Sequence, residues 1–374
     1  MHLLMLSIDK SIEKTGTSVR GRMEHYGSLV EGIDIILLGA TTQYPIMLQN
    51  GVVVHPIVSR SKLISVCKAI FVARRLAKKT SIVTVQDPFE LGLIGFIISC
   101  LTFVPLSVQV HIDFFSPYFK GESIRQNIQA RIAPFVLRRA TSIRVVSQKI
   151  ATYIHDTIGI DAKKIVIAPV FVDASKTKMV SVSTDLHKQY PEFEWIVLVA
   201  SRFVPQKNIP LAIEAFDEFR KQHQKVGMII IGSGPSESVI QRCITDRNLG
   251  SVVKVDSSLS TQFISCMKTS DVFVLSSDYE GWGMTIIEVA SVGTPVIMTR
   301  VGCADEFIVH EKNGLIVPVR DRGALTAALE KYYSDRSFAS RIRERAAADA
   351  QTYMTLGESD LLQKKVWEYD AQNI

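Results

Sequence analysis

Cysteine is scarce in this chain. Five occur in 374 residues, at positions 67, 100, 243, 266 and 303, and no two form a CxxC pair. That scatter excludes a disulfide framework and a cysteine-ligated zinc site, and it fits a reducing compartment. Long apolar runs are missing too. The longest, around Leu91–Pro105, stops at ~15 residues, short of the ~20 that a spanning helix needs. The opening MHLLMLSID is too short for a signal peptide and reads as a first strand. No HExxH and no Asp-x-Asp pair occurs, so neither common acidic or histidine metal signature is present. Basic runs interleaved with aromatics are absent as well, which sets nucleic acid aside as a partner. Gly232-Ser233-Gly234-Pro235 resembles a dinucleotide loop but fails the pattern, because Glu237 stands where the third glycine belongs.

What is present is globular: 47% hydrophobic and 21% charged residues, on a chain long enough for two domains. The charge is uneven. Residues 1–180 carry 22 Lys/Arg against 12 Asp/Glu, and residues 181–374 carry 21 against 25. The basic half suits an anionic membrane surface or an acidic acceptor.

Strand and helix signals alternate along both halves. In the first, residues 2–8, 33–38, 81–85, 106–111, 141–146 and 164–168 read as strands. Helices are expected at 19–31, 63–79, 89–101, 122–139 and 147–157, with basic residues crowding 63–79 and 122–139. Residues 169–191 read as a polar connection. A second alternating run follows, with strands near 195–200, 226–231, 252–255, 272–275, 296–298 and 315–317. Helices over 322–334 and 337–352 come next, and then a last segment around 359–369. Such alternation predicts parallel sheets with helices on both faces.

Ligands of open parallel sheets sit at the carboxyl ends of strands, so the loops there carry the chemistry. Ser201–Asn208, SRFVPQKN, offers Arg202 and Lys207 for an anion. Asp271–Gly302 reads as strand, loop, helix, strand, with Glu280 in the loop and Glu288 in the helix. The helix should begin near Gly283, Met284 and Thr285, whose free N–H groups attract phosphate. His111 ends a strand of the first half, in a place where it could serve catalysis or structure.

The set SRFVPQKN, IIGSGP, DVFVLSSDYEGWGMTIIEVASVGTPVI and NGLIVP resembles the retaining glycosyltransferases of family 4, with Glu280 and Glu288 as the Glu-x7-Glu pair. Over residues 1–170 the likeness continues in Gly16, Gln86-Asp87-Pro88 and His111. The resemblance implies the GT-B fold, two Rossmann-like doubly wound domains facing across a cleft. These would be an acceptor-side domain over 1–170 and a nucleotide-sugar domain over 171–352. A C-terminal helix within 353–374 would pack back on the first. It implies a nucleoside-diphosphate sugar as donor substrate, a glycan or lipid-linked acceptor, and no cofactor or metal. Arg202 and Lys207 would meet the diphosphate, Glu288 the ribose, and the amides of Gly283, Met284 and Thr285 the phosphate and sugar oxygens. Gly16 and Gly234 would allow close backbone approach to the donor. Glu280 and His111 would stand near the transferred sugar as catalytic residues. Peripheral attachment at the cytoplasmic face of a membrane is expected from the basic helices. Two other readings share part of this pattern: a sugar-nucleotide 2-epimerase of the same fold, and a non-catalytic basic membrane- or polymer-binding protein.

Overall fold

The structure, a computed structural model, describes residues 1–368. By its contacts the chain divides into two units. One comprises Met1–Phe115, Ser123–Pro169 and the chain from Gly357. The other comprises Ser116–Glu122 and Val170–Leu356.

The first unit is built on an eight-stranded sheet. Its strands are β1 (His2–Ser7), β2 (Gly32–Leu38), β3 (Ile46–Met47), β4 (Val52–Ile57), β5 (Ile82–Val85), β6 (Leu106–Val110), β7 (Ser142–Val145) and β8 (Ile165–Ile167). They lie in the order β3-β4-β2-β1-β5-β6-β7-β8. All pair in parallel except β3, which runs antiparallel along the edge of β4. The reason is visible in the sequence: IVTV in β5 and LSVQV in β6 are buried throughout, as strands covered on both faces must be. The strand β4 was not expected. Its VVVHPI run carries a histidine and a proline, and both mask its apolar character.

Helix boundaries follow capping residues. Thr17 Oγ1 accepts from the Arg20 amide and starts Ser18–Gly27. Ser61 starts Lys62–Leu76. The helix expected over 122–139 is Ile124–Arg139, and a short helix that was not expected, Pro117–Glu122, precedes it. Ser123 lies between them and caps Ile124–Arg139 through the Gln126 amide at 3.2 Å. The helix Leu356–Glu368 places Val366 and Trp367 in a core with Met23, Ile33 and Ile35, and Trp367 meets Tyr26 edge-on at 5.6 Å. Each such fully buried side chain contributes about 1.5–3 kcal/mol. The remainder of the segment assigned to 353–374, from residue 369, lies outside the described residues.

The second unit has six strands: β9 (Trp195–Ala200), β10 (Val226–Ile231), β11 (Val253–Val255), β12 (Val272–Leu275), β13 (Val296–Thr299) and β14 (Leu315–Val317). Their order is β11-β10-β9-β12-β13-β14, all parallel. Numbered from the first strand this is 3-2-1-4-5-6, the doubly wound order of nucleotide-binding sheets. The order reverses between β9 and β12. In the first sheet, leaving aside β3, it reverses in the same way between β1 and β5. Residues 169–191, expected as a polar connection of unassigned structure, hold two short helices, Ala174–Met179 and Leu186–Gln189.

Candidate active site

The loops that follow β9 and β12 leave neighbouring strands at the reversal point of the second sheet. Seven of the residues singled out in the sequence gather there. The β12 loop ends at Gly283, whose φ of +90° is a conformation glycine adopts without strain. The helix Met284–Ser291 starts from it, with Ile286, Ile287, Ala290 and Ser291 buried against the sheet. Among the described residues, the amides of Gly283, Met284 and Thr285 donate to no protein group. Gly283 and Thr285 are half-buried and Met284 is exposed, so this helix end is reachable. It carries the partial positive charge of an uncapped N-terminus.

Glu288 lies one turn further on and is half-buried. Its carboxylate makes no hydrogen bond or ion pair among the described residues. Burial alone pushes its pKa above the ordinary carboxylate value. A carboxylate taken from water without a partner is costly to the fold, and that cost marks it for a ligand.

Glu280 is the opposite case. It is buried, and it pairs with Lys207. Ser277 Oγ donates to it at 2.7 Å and Gln206 Nε2 at 3.4 Å. Lys207, expected to hold an anion, therefore has its charge answered by Glu280. Arg202 is exposed and has no partner among the described residues, so it is the cation left over in this loop.

The two loops are stitched together. Gln206 Nε2 donates to the Tyr279 carbonyl at 2.8 Å, and Asn208 Nδ2 to Asp278 at 2.8 Å. Arg320 grips Asp278 through Nε at 3.1 Å and Nη2 at 2.7 Å. Tyr279 bonds to Glu122 and meets Phe119 edge-on at 5.6 Å. A cavity of about 570 Å³ opens beside these residues, lined by Tyr118, Gln206, Asp278, Tyr279 and Arg320. Sequence reasoning missed Gln206, Ser277, Asp278 and Arg320. The first three sit inside stretches already singled out, where a polar side chain facing a buried carboxylate could have been asked for. Arg320 has no such signal.

Gly234 belongs to the loop after β10. A Cβ there would come 2.5 Å from the Phe203 carbonyl oxygen. The β9 and β10 loops are zipped by Phe203 N to Ser233 O at 2.8 Å and Ser236 N to Phe203 O at 2.9 Å. In this structure the close approach that Gly234 permits is to the chain itself, at Phe203.

Gly16 and His111 lie in the first unit, after β1 and β6. Gly16 is exposed, with φ +79°, just before the Thr17 cap. His111 is exposed, with Nε2 2.9 Å from Gln109 Oε1. Crowding by the surrounding protein, then the positive charges of Arg144 and Arg22, lower its pKa toward about 3. Its open face lets water screen part of that shift, and the direction leaves the ring neutral at pH 7.

Comparison with known proteins gives the family and the fold. The family described as Glycosyl transferases group 1 matches residues 183–349, and that described as Glycosyltransferase Family 4 matches residues 31–176. The chain is similar to the alpha-D-kanosaminyltransferase of Streptomyces kanamyceticus, 23% identical over 67% of each protein. It is similar to a GDP-mannose-dependent alpha-(1-6)-phosphatidylinositol monomannoside mannosyltransferase of Mycolicibacterium smegmatis. There it is 28% identical, over 37% of this chain and 39% of that one. Among solved structures, it resembles sucrose-phosphate synthase from Thermosynechococcus elongatus over the whole of both chains, with TM-score 0.81 and 17% identity. It resembles Anabaena Alr3699/HepE in complex with UDP-glucose, also over the whole of both, with TM-score 0.77 and 20% identity. These structures establish the fold, two Rossmann-like domains of the GT-B class. Joined by the two family matches, they lead to one conclusion: the chain is a member of the group 1, family 4 glycosyltransferases.

Proposed function

We propose that this enzyme moves a hexose-type sugar from a nucleoside-diphosphate sugar to a glycan or lipid-linked acceptor, with retention of configuration and without a metal. The observation that carries this is the group at the reversal point of the second sheet. There an open helix end stands at adjoining strand ends with Arg202 and Glu288, whose side chains have no partner among the described residues. A nucleoside diphosphate supplies what each lacks. Its phosphates answer the helix end and Arg202, and its ribose hydroxyls donate to Glu288. The relatives point the same way, one named for GDP-mannose and one structure solved with UDP-glucose.

In the transfer, the bond between the anomeric carbon and the phosphate oxygen breaks, and its electron pair leaves with the diphosphate. The acceptor oxygen bonds the same carbon from the same face, and its proton passes to the leaving phosphate. Negative charge grows on the diphosphate, where preorganised N–H groups and Arg202 stabilise it. Glu280, held by Lys207 and Ser277, would keep a fixed negative charge near the sugar as positive charge develops.

A thermal-shift panel of UDP-, GDP- and ADP-sugars tests the reading. One class should raise the melting temperature and release its nucleoside diphosphate when acceptor is present, with EDTA changing nothing. If no class does either, the reading fails. Conversion of the donor without acceptor would favour the epimerase.

The first unit adds a surface to this proposal. The helix Glu90–Thr102 packs against Lys62–Leu76 and Ile124–Arg139. These helices leave Leu63, Phe71, Leu101, Ile124 and Ile128 exposed, with exposed Phe103 just past the end of Glu90–Thr102, and they also carry exposed Arg74, Arg75, Arg131 and Arg139. Apolar side chains among cations suit an anionic bilayer surface, each cation adding about 1 kcal/mol. Among the described residues no helix is long and apolar enough to cross a membrane. Sedimentation with anionic vesicles, reduced by Phe71→Asp and Phe103→Asp together, is the expected result; indifference to vesicles would end the proposal.

A further inference from the structure

Gln109 and Arg144 face each other in register across β6 and β7, both buried. The Arg144 guanidinium donates to the carbonyls of Ala168 at 3.0 Å and Pro169 at 3.4 Å, and through Nη1 to Gln109 Oε1 at 3.1 Å. Arginine has donors only, so the Gln109 atom that it touches must be the carbonyl oxygen. This contact decides an orientation that the two ends of an amide otherwise leave open. The amide nitrogen then points to Thr84 Oγ1, at 3.3 Å.

The same Gln109 oxygen lies 2.9 Å from His111 Nε2. An amide oxygen has no proton to give, so the ring must bring one. The neutral His111 therefore carries its hydrogen on Nε2 and keeps a lone pair on Nδ1. Among the described residues Nδ1 has no hydrogen bond or ion pair, and the residue is exposed. It stands at the carboxyl end of β6, where ligands of such sheets bind.

We propose that Arg144, acting through Gln109, is a positioning residue that fixes His111 as its Nε2–H tautomer, so that Nδ1 accepts a hydrogen bond from a substrate hydroxyl. That the hydroxyl belongs to a sugar or acceptor rests on the glycosyltransferase reading; the tautomer does not. Crowding by the surrounding protein first, and then the charged groups around the ring, favour its neutral form. Arg144 faces it from β7 and Arg22 from the helix Ser18–Gly27, and both oppose an imidazolium. Asp113, two residues along, is held by Lys149 Nζ at 2.7 Å.

Long-range proton–nitrogen correlation spectra of the histidine rings test this, with His111 assigned by its loss in His111→Ala. Wild type should show Nε2 protonated and Nδ1 bare at pH 7, and no protonation of the ring down to pH ~5. Gln109→Glu keeps the contact to Arg144 as an ion pair and sets a carboxylate against Nε2–H. Its ring should titrate at least about one unit higher. Arg144→Met should let the amide turn and both tautomers appear; should that variant not fold, Gln109→Glu decides alone. An Nδ1–H ring in wild type, or a titration that Gln109→Glu leaves unmoved, overturns the proposal. With a donor identified by the thermal panel, Gln109→Glu should keep the donor-induced melting shift. It should lose turnover as pH falls and the imidazolium forms. Turnover that follows wild type across that range would remove the role of Nδ1.

Discussion

Asp34 and Glu288 are both carboxylates withdrawn from water, and the protein treats them in opposite ways. Asp34, on β2, is almost fully buried and holds three partners: His2 Nε2 at 2.6 Å, His55 Nε2 at 2.7 Å and Lys79 Nζ at 2.7 Å. Against the opposing effect of burial, these bonds hold its pKa far below the ordinary carboxylate value. Among the described residues the Glu288 carboxylate has no partner, and burial raises its pKa. A charge that serves the fold is answered by the chain. A charge that serves a ligand is left for the ligand to answer. Glu280 stands between them, a site residue by position that the chain has nevertheless satisfied with Lys207, Ser277 and Gln206.

Breaking the Glu280 pair should have the largest effect. Lys207→Met leaves a buried carboxylate beside only Ser277 and Gln206, and removal of one partner from such a pair costs about 3–5 kcal/mol. Urea unfolding should show that loss, and adding Glu280→Gln should restore most of it. A double variant no more stable than Lys207→Met would mean that the pair is not what holds these loops.

Asp34→Asn should cost less, about 2 kcal/mol, because His2, His55 and Lys79 keep contact with water when their partner is gone. The sign with pH is fixed. A carboxylate whose folded pKa is depressed contributes stability above its unfolded value, about 3.9, and loses it as pH falls toward the folded value. The gap between wild type and Asp34→Asn should therefore be full from pH ~5 to 7 and narrow below pH ~4. A gap that stays constant down to the lowest pH measured would remove Asp34 from the account.

The contrast between these carboxylates also explains how much the sequence could tell. Both sheets were legible because parallel strands buried on two faces must be apolar runs, and segments such as VGMIII admit little else. The β12 loop and its helix were legible because glycine, carboxylates and a proline stop recur at fixed spacing over Glu280–Pro295. What was not legible is partnership. Nothing along the chain says that Lys207 answers Glu280, that Arg320 grips Asp278, or that Gly234 makes room for Phe203. Those contacts join residues on different strands, and only the register of the sheet brings them together. The strand β4 escaped because His55 and Pro56 interrupt its apolar pattern.

Glu288→Gln separates the two kinds of carboxylate most sharply. In the ground state the change is nearly isosteric and removes a charge that the fold does not need. With a sugar nucleotide bound, it replaces charge-assisted hydrogen bonds, each worth about 1.5–3 kcal/mol, by weaker ones. kcat/KM should fall roughly 10- to 150-fold by that measure. Stability should move the other way, by a smaller amount. A carboxylate whose folded pKa is raised destabilises the fold above its folded pKa, and the penalty disappears below its unfolded value of about 4.3. Near pH 7 the variant should therefore melt slightly higher than wild type, and near pH 4 the two should coincide. Lower activity joined to lower stability at pH 7 would make Glu288 a structural carboxylate like Asp34, and the donor assignment at the helix end would lose its strongest residue.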